Sequence, residues 1–232
     1  NVGGQEFFVV SGGDDVVCNG LLVVTEAALT DESERANMKT TIYLIRHGLT
    51  AANKDAIFAG RTQEPLHPEG VAQLEEVGKQ LAGCGISKIF CGLLARTRES
   101  AGIVGELLGV PVTTDEALSE ISIPHWDGLT KTAIRARFGS EYPTWLDDPA
   151  GFRLPGCETI AEVQGRAVAF VESLFREHLR QNLLVVSHLI VVRALLLHYL
   201  ARPIADFRSI KVGNAQVVTL VRDDLGGTAV KM

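Results

Sequence analysis

The chain has 232 residues, of which 46% are hydrophobic and 22% charged. That composition supports one good-sized core and excludes both a disordered chain and a small disulfide-stapled scaffold. Lys+Arg 22 against Asp+Glu 28 leaves a formal net charge of -6, so no overall positive field serves nucleic acid or an anionic membrane. An anionic ligand has to meet a local cluster of cations.

Residues 1–37 read as an extension. Phe7-Phe8-Val9-Val10 and Val16-Val17, separated by Ser11-Gly12-Gly13-Asp14, predict a short hairpin, and the polar run 30–37 predicts a linker. Met38 stands directly before a strong strand signal and is a candidate ancestral start of a domain spanning 38–232. The N-terminus lacks the basic, apolar and small-residue regions of a signal peptide in that order. The apolar stretch 183–201 is interrupted by Ser187, His188, Arg193 and His198, which argues for a buried strand and helix and against a membrane span. Cys18, Cys84, Cys91 and Cys157 show no CxxC spacing and read as buried free thiols. The expectation is a soluble, cytoplasmic protein.

From Thr40 onward, strand and helix patterns alternate as in an α/β domain. Thr41-Ile42-Tyr43-Leu44-Ile45 is a continuous apolar strand of the kind covered on both faces. Pro68 opens a helix with the stripe Val71, Leu74, Val77, Leu81. Residues 88–91 predict the next strand. The following helix carries Ile103, Val104, Leu107 and Leu108, and stops at Gly109 with Pro111 beyond. Ile160, Val163, Ala167, Phe170, Val171 and Leu174 mark a long amphipathic helix. Residues 183–186 form a buried strand that runs into a helix over 190–200, and 217–221 close the sheet.

Two of these strands deliver a histidine at the C-terminal end, in Leu44-Ile45-Arg46-His47-Gly48 and in Val185-Val186-Ser187-His188. Ligand sites of open α/β sheets lie outside the carboxyl ends of the strands, so both imidazoles stand where chemistry is expected. His67, His125, His178 and His198 have no comparable setting, although His125 is close enough to Glu120 in sequence to line a pocket there.

The run Arg46-His47-Gly48-Leu49-Thr50-Ala51-Ala52-Asn53 resembles the RHGxTxxN signature of the histidine phosphatase, or phosphoglycerate mutase-like, superfamily. The resemblance continues in order through Gly60-Arg61, Pro65-Leu66 and Gly70, Leu94-Ala95-Arg96 to Ser100-Ala101, Leu118 and Glu120 with Trp126-Asp127-Gly128, Gly156 with Glu158-Thr159, and Asn214. It implies a three-layer α/β/α sandwich with a mostly parallel central sheet. It also implies the activity of a histidine acid phosphatase-type phosphoric monoester hydrolase, without cofactor or metal. By the same resemblance His47 is the nucleophile and Glu120 the general acid/base. Arg46, Arg96 and His188 bind the phosphoryl oxygens; Asn53, Gly60, Arg61 and Leu189 complete substrate binding. Arg96 could instead cap or pair at its helix, Arg61 and Arg166 could serve only in salt bridges, Trp126 reads as core or pocket wall, and Arg193 reads as structural.

The sequence departs from the family pattern at Leu189, where a glycine is usual, at Cys91-Gly92 for Ser-Ser, at His67 for a helix-capping threonine, and at Pro124 for a glycine. Glu120 leads through what reads as a short connection to Pro155-Gly156, without the long insertion of the true mutases. Phosphomonoester hydrolysis is therefore expected, with α-ribazole phosphate, phosphoserine and other small metabolites as candidate substrates. Phosphoglycerate mutase-type transfer and a phosphate-binding module are the alternatives. The expected partners are a small phosphorylated metabolite and inorganic phosphate as product, with no nucleic acid and no membrane; a homodimer is compatible with this. Within residues 1–37, the segment from Gly4-Gln5 to Cys18-Asn19-Gly20 faintly resembles the iron-binding ribbon of desulforedoxin, with only Cys18 of the four thiolate ligands present, an unrelated tail or hairpin being the alternative.

Overall fold

The computed structural model describes residues 39–223 and 226–231. The hairpin and linker expected over 1–37, and Cys18, lie outside the described residues.

The sheet core is set by the apolar strands. β1 (Thr40–Arg46) pairs in parallel with β6 (Asn182–Ser187), and β6 with β3 (Ile86–Cys91). β3 continues in parallel to a short edge strand, β4 (Val112–Thr114). On the other side, β1 pairs antiparallel with β7 (Val217–Arg222). β7 does not close the sheet, because β8 (Thr228–Lys231) adds antiparallel outside it and gives the order β4-β3-β6-β1-β7-β8. A separate two-stranded ribbon joins β2 (Ile57–Phe58) to β5 (Leu129–Thr130).

Alternation along each buried strand sends neighbouring side chains to opposite faces. Ile45, Ile89 and Val186 pack on one face against Leu74, Val77 and Leu81 of α2 (Pro68–Leu81) and Val104 of α3 (Ala95–Leu108). Leu44, Phe90 and Val185 pack on the other against Val163, Val171 and Leu174 of α6 (Ile160–Glu177) and the apolar α7 (Leu189–Tyr199). The result is the α/β/α sandwich, with the strongly apolar α7 buried nearly all round, as a helix without a polar face must be.

Local chemistry sets the helix ends. Pro68 opens α2, and His67 caps it, its Nδ1 accepting from the Glu69 amide at 3.2 Å. The histidine thus performs the capping task of the usual threonine. α3 ends at Gly109, whose left-handed φ of 67° suits a residue without a Cβ. Thr159 and Glu162 form a reciprocal capping box at the start of α6.

The connection from Glu120 to Pro155 corrects the expectation of a short bare link. It carries β5, α4 (Lys131–Phe138) and α5 (Glu141–Asp147). Trp145 and Phe152 pack with Trp126 in an aromatic cluster at ring distances of 5.1 to 6.2 Å, which fixes this segment to the core.

Candidate active site

Parallel pairing of β1 with β6 aligns Arg46 with Ser187, so His47 and His188 leave adjacent strands at the same level. The His47 amide donates to the Ser187 carbonyl at 2.9 Å, and the two ring centroids lie 5.3 Å apart. Both side chains are buried. His47 Nδ1 lies 2.8 Å from the Gly48 carbonyl; that acceptor requires the proton on Nδ1, which leaves Nε2 with its lone pair. Burial, then the charges of Arg96 and Arg46, hold the His47 pKa well below the ordinary value.

Backbone contacts fix this loop. Asn214 Nδ2 donates to the carbonyls of His47 (3.1 Å) and Gly48 (3.3 Å) and to Asn53 Oδ1 (2.8 Å). Asn53 Oδ1 also accepts from the Thr50 amide, an orientation that turns its Nδ2 group away from both donors. Asn53 ends the first turn of α1 (Ala51–Lys54), which Thr50 and Asn53 close as a capping box.

Two guanidinium groups flank His47. Arg46 Nη1 donates to the Val212 carbonyl at 3.1 Å, and burial pulls its pKa down to about 10, still protonated at neutral pH. Arg96, fully buried at the start of α3, donates from Nη1 to Thr62 O (2.9 Å) and from Nη2 to Gly60 O (2.6 Å). Gly60 can present that carbonyl because it has no side chain: its φ is 46°, and a Cβ would stand 1.7 Å from Asp127 Oδ1. Gly60 therefore acts through Arg96.

Glu120 faces the same space. Its Oε1 accepts from its neighbour Ile121 N at 2.9 Å and its Oε2 from Ile190 N, in the first turn of α7, at 3.4 Å. Burial outweighs these hydrogen bonds and the nearby arginines and raises its pKa. Its main chain is clamped from behind. Arg61 Nε and Arg166 Nη2 donate to Glu120 O at 3.0 and 3.4 Å, and both guanidiniums are anchored on Glu158.

A cavity of about 430 Å³ opens over these groups, lined among others by Arg46, His47, Asn53, Gly60, Arg96, Glu120 and Leu189. His188 lies beside His47 rather than on the cavity wall, with Gly92 so close that a Cβ there would stand 3.2 Å from His188 Nε2. Buried Nε atoms of Arg46, Arg96 and Arg193 and both ring nitrogens of His188 find no partner among the described residues. Asp127 Oδ1 is likewise buried without a partner; buried polar groups are normally satisfied, so these atoms stand out. Among the described residues no three His, Cys, Asp or Glu side chains are grouped to hold a metal ion. No helix among them is long and apolar enough to cross a membrane.

Three sequence expectations need correction. Arg61 does not border the cavity, because its guanidinium is consumed by Glu116, Glu158 and the Glu120 carbonyl. His125 turns to Glu141 at 2.7 Å and does not line the pocket. Arg193 does line it, with its guanidinium 5.3 Å over the Phe207 ring. Its spacing of four from Leu189 on one helix was the available signal. Lys131, Tyr142, Trp145 and Arg208 also line the cavity, and no motif pointed to them.

Comparison with known proteins agrees with this geometry. The chain is 29% identical over 182 residues (76% of this chain, 82% of the relative) to a protein of Proteus mirabilis that bears the name "Probable phosphoglycerate mutase GpmB". It is 22% identical over 191 residues (82% and 90%) to phosphoserine phosphatase 1 of Hydrogenobacter thermophilus. The fold of Bacillus stearothermophilus YhfR superposes with a TM-score of 0.80 at 27% identity, covering 83% of this chain and 96% of that one. Residues 42–232 match the family described as the histidine phosphatase superfamily (branch 1). The paired strand-end histidines, the arginines around them and this match over most of the chain establish that the protein belongs to the histidine phosphatase superfamily, membership that implies general phosphomonoesterase activity.

Proposed function

We propose that the chain hydrolyses a small phosphomonoester in two steps through a phosphohistidine on His47. The observation that carries this reading is the 2.8 Å contact of His47 Nδ1 with the Gly48 carbonyl on a residue that lines the cavity: it favours the tautomer with the proton on Nδ1 and leaves Nε2 basic. In the first step Nε2 attacks phosphorus, and protonated Glu120 gives its proton to the leaving alcohol oxygen. In the second, ionised Glu120 takes a proton from water as the water attacks the phosphohistidine, restoring His47 and releasing inorganic phosphate.

Arg46, Arg96 and Asn53 hold the phosphoryl oxygens from the cavity wall. His188, behind that wall with its ring centroid 5.3 Å from that of His47 and both ring nitrogens unpartnered among the described residues, reaches them as they settle against His47, so that positioning and charge neutralisation lower the barrier. The first amides of α7, beginning at Leu189, add the positive end of an 11-residue helix. Arg61 and Gly60 are positioning residues, the first for Glu120 and the second for Arg96. Residues 38–232 form the enzymatic unit in this reading, and the free Cys84, Cys91 and Cys157 suit a reducing, cytoplasmic setting.

A second reading, phosphoryl return to the substrate as in a mutase, gains from α4 and α5, which bring Lys131, Tyr142 and Trp145 over the cavity. Hydrolysis of p-nitrophenyl phosphate in chelator with an acid-labile phosphoenzyme, both lost in His47→Ala, is the expected result. Interconversion of 3- and 2-phosphoglycerate faster than phosphate release would establish the mutase, and binding without turnover a phosphate-binding module.

A further inference from the structure

We infer that the alcohol part of the ester carries a carboxylate, and that Arg193 and Arg208 are the residues that select it. The inference builds on the phosphomonoesterase reading of the same cavity and names its substrate class.

The argument begins with charge. The cavity is lined by five cationic side chains, Arg46, Arg96, Lys131, Arg193 and Arg208, and by one carboxylate, Glu120, in a chain whose net charge is -6. Arg46 and Arg96 are tied to main-chain carbonyls beside His47, where the phosphoryl group is received. The other three cations make no hydrogen bond or ion pair through their side chains among the described residues. Arg193 is the most demanding of them: its Nε is buried without a partner and its guanidinium lies over Phe207. Arg208 follows Phe207 directly in the chain and lines the same cavity; burial and then its charge lower the Arg193 pKa, against an opposing pull from Glu120.

Among the described residues Glu120 is the only carboxylate lining the cavity against these cations, and neither Arg193 nor Arg208 makes an ion pair with it, so an anion bound between the two guanidiniums relieves the cost of holding them there. The phosphoryl dianion does not meet this need, since Arg46 and Arg96 already flank its place next to His47. Arg46 and Arg193 nevertheless line the same cavity of about 430 Å³, so both anion positions fall within reach of one small molecule. Tyr142, Trp145 and Phe207 wall this end of the cavity, and the planar fork of Arg193, its Cζ 5.3 Å from the Phe207 ring centroid, is of the kind that takes a carboxylate by two oxygens.

The test compares three esters: 3-phosphoglycerate, glycerol 3-phosphate, which replaces the carboxylate by a neutral CH2OH, and glycerol 1,3-bisphosphate, which keeps the C2 hydroxyl and replaces the carboxylate by a CH2-borne second phosphate. Wild type is expected to favour 3-phosphoglycerate over glycerol 3-phosphate by about tenfold or more in kcat/KM, the worth of one good charged contact. Arg208→Gln and Arg193→Gln should bring that ratio toward one, with the loss carried by KM. Arg208 is half-exposed, so its variant keeps the test alive if Arg193→Gln fails to fold.

Calorimetry on His47→Ala reads the same preference as a ratio of Kd values without turnover. Retained preference with no hydrolysis of any ester by wild type would remove the phosphatase reading and leave this inference standing. Equal Kd values for 3-phosphoglycerate and glycerol 3-phosphate would overturn it, as would a bisphosphate bound more tightly than 3-phosphoglycerate, or a ratio unmoved by both arginine variants.

Discussion

At Glu120 the buried setting and the proposed chemistry make the same demand, a carboxyl that keeps its proton above the usual range. Replacing it by Gln should lower kcat by about 10²- to 10⁴-fold, the usual worth of a general acid or base. As the acid must be protonated, kcat/KM for wild type falls as pH rises through the raised Glu120 pKa; in Glu120→Gln that alkaline limb should vanish from the pH–rate profile. His47 and His188 shift the other way, toward the neutral ring, through burial and then the Arg96 charge. Their folded pKa values lie below the unfolded one, so the stability they contribute is present above about pH 6.5 and is lost as pH falls. Urea midpoints between pH 7 and pH 5 should drop for wild type and drop less for His188→Asn. Gly60→Ala would drive a Cβ into Asp127 and displace the carbonyl that holds Arg96, and kcat/KM should fall at least about tenfold, a loss of some 1.4 kcal/mol in transition-state binding.

Among the elements, α7 answers the doubt raised by Leu189. The residue begins the helix with φ in the ordinary negative range, packs half-buried against the core, and leaves its amide available. Leu189→Gly should therefore cost about 1–2 kcal/mol in chemical denaturation, from helix propensity and lost burial, with no gain in kcat. The clamp between α6 and the Glu120 segment makes a second demand. Burial of Glu158 tends to raise its pKa, but the Arg166 pair, the Ser122 amide and Arg61 together hold it below the usual carboxylate range. Arg166→Met should destabilise by about 1.5–3 kcal/mol and lower kcat more than it changes KM, as expected of a residue acting through Glu120. β1, β6 and the helices packed on them were legible because their buried stripes and strands are long and apolar. α4 and α5 were not: Ile134 is the only buried side chain of α4, and α5 is held by Tyr142 and Trp145, too few positions to establish a helical period. Their consequence for the site, the aromatic and cationic wall, was lost with them.

For the molecule as a whole, the strand-end histidines and the ordered motifs made the fold and the phosphate end of the cavity readable. The far end depends on tertiary approach that spacing does not encode, as when Phe207 and Arg208, from a turn of 3-10 helix, meet Arg193 of α7. Binding of inorganic phosphate or vanadate at about 100 times its Kd should stabilise the fold by about 2.7 kcal/mol, seen as a rise of several degrees in Tm. The same addition to His47→Ala measures how much of that gain needs the imidazole. The cavity wall draws Arg46 from the first described strand, Arg96 from α3, Glu120 from the middle of the chain and Asn214 from just before β7. No contiguous fragment owns a partial version of this cradle, so during refolding the capture of an anion should be the last event to appear. A phosphate signal then reports that the entire polypeptide has reached its final arrangement, and a chain nicked in any one of these regions should fall silent as a whole.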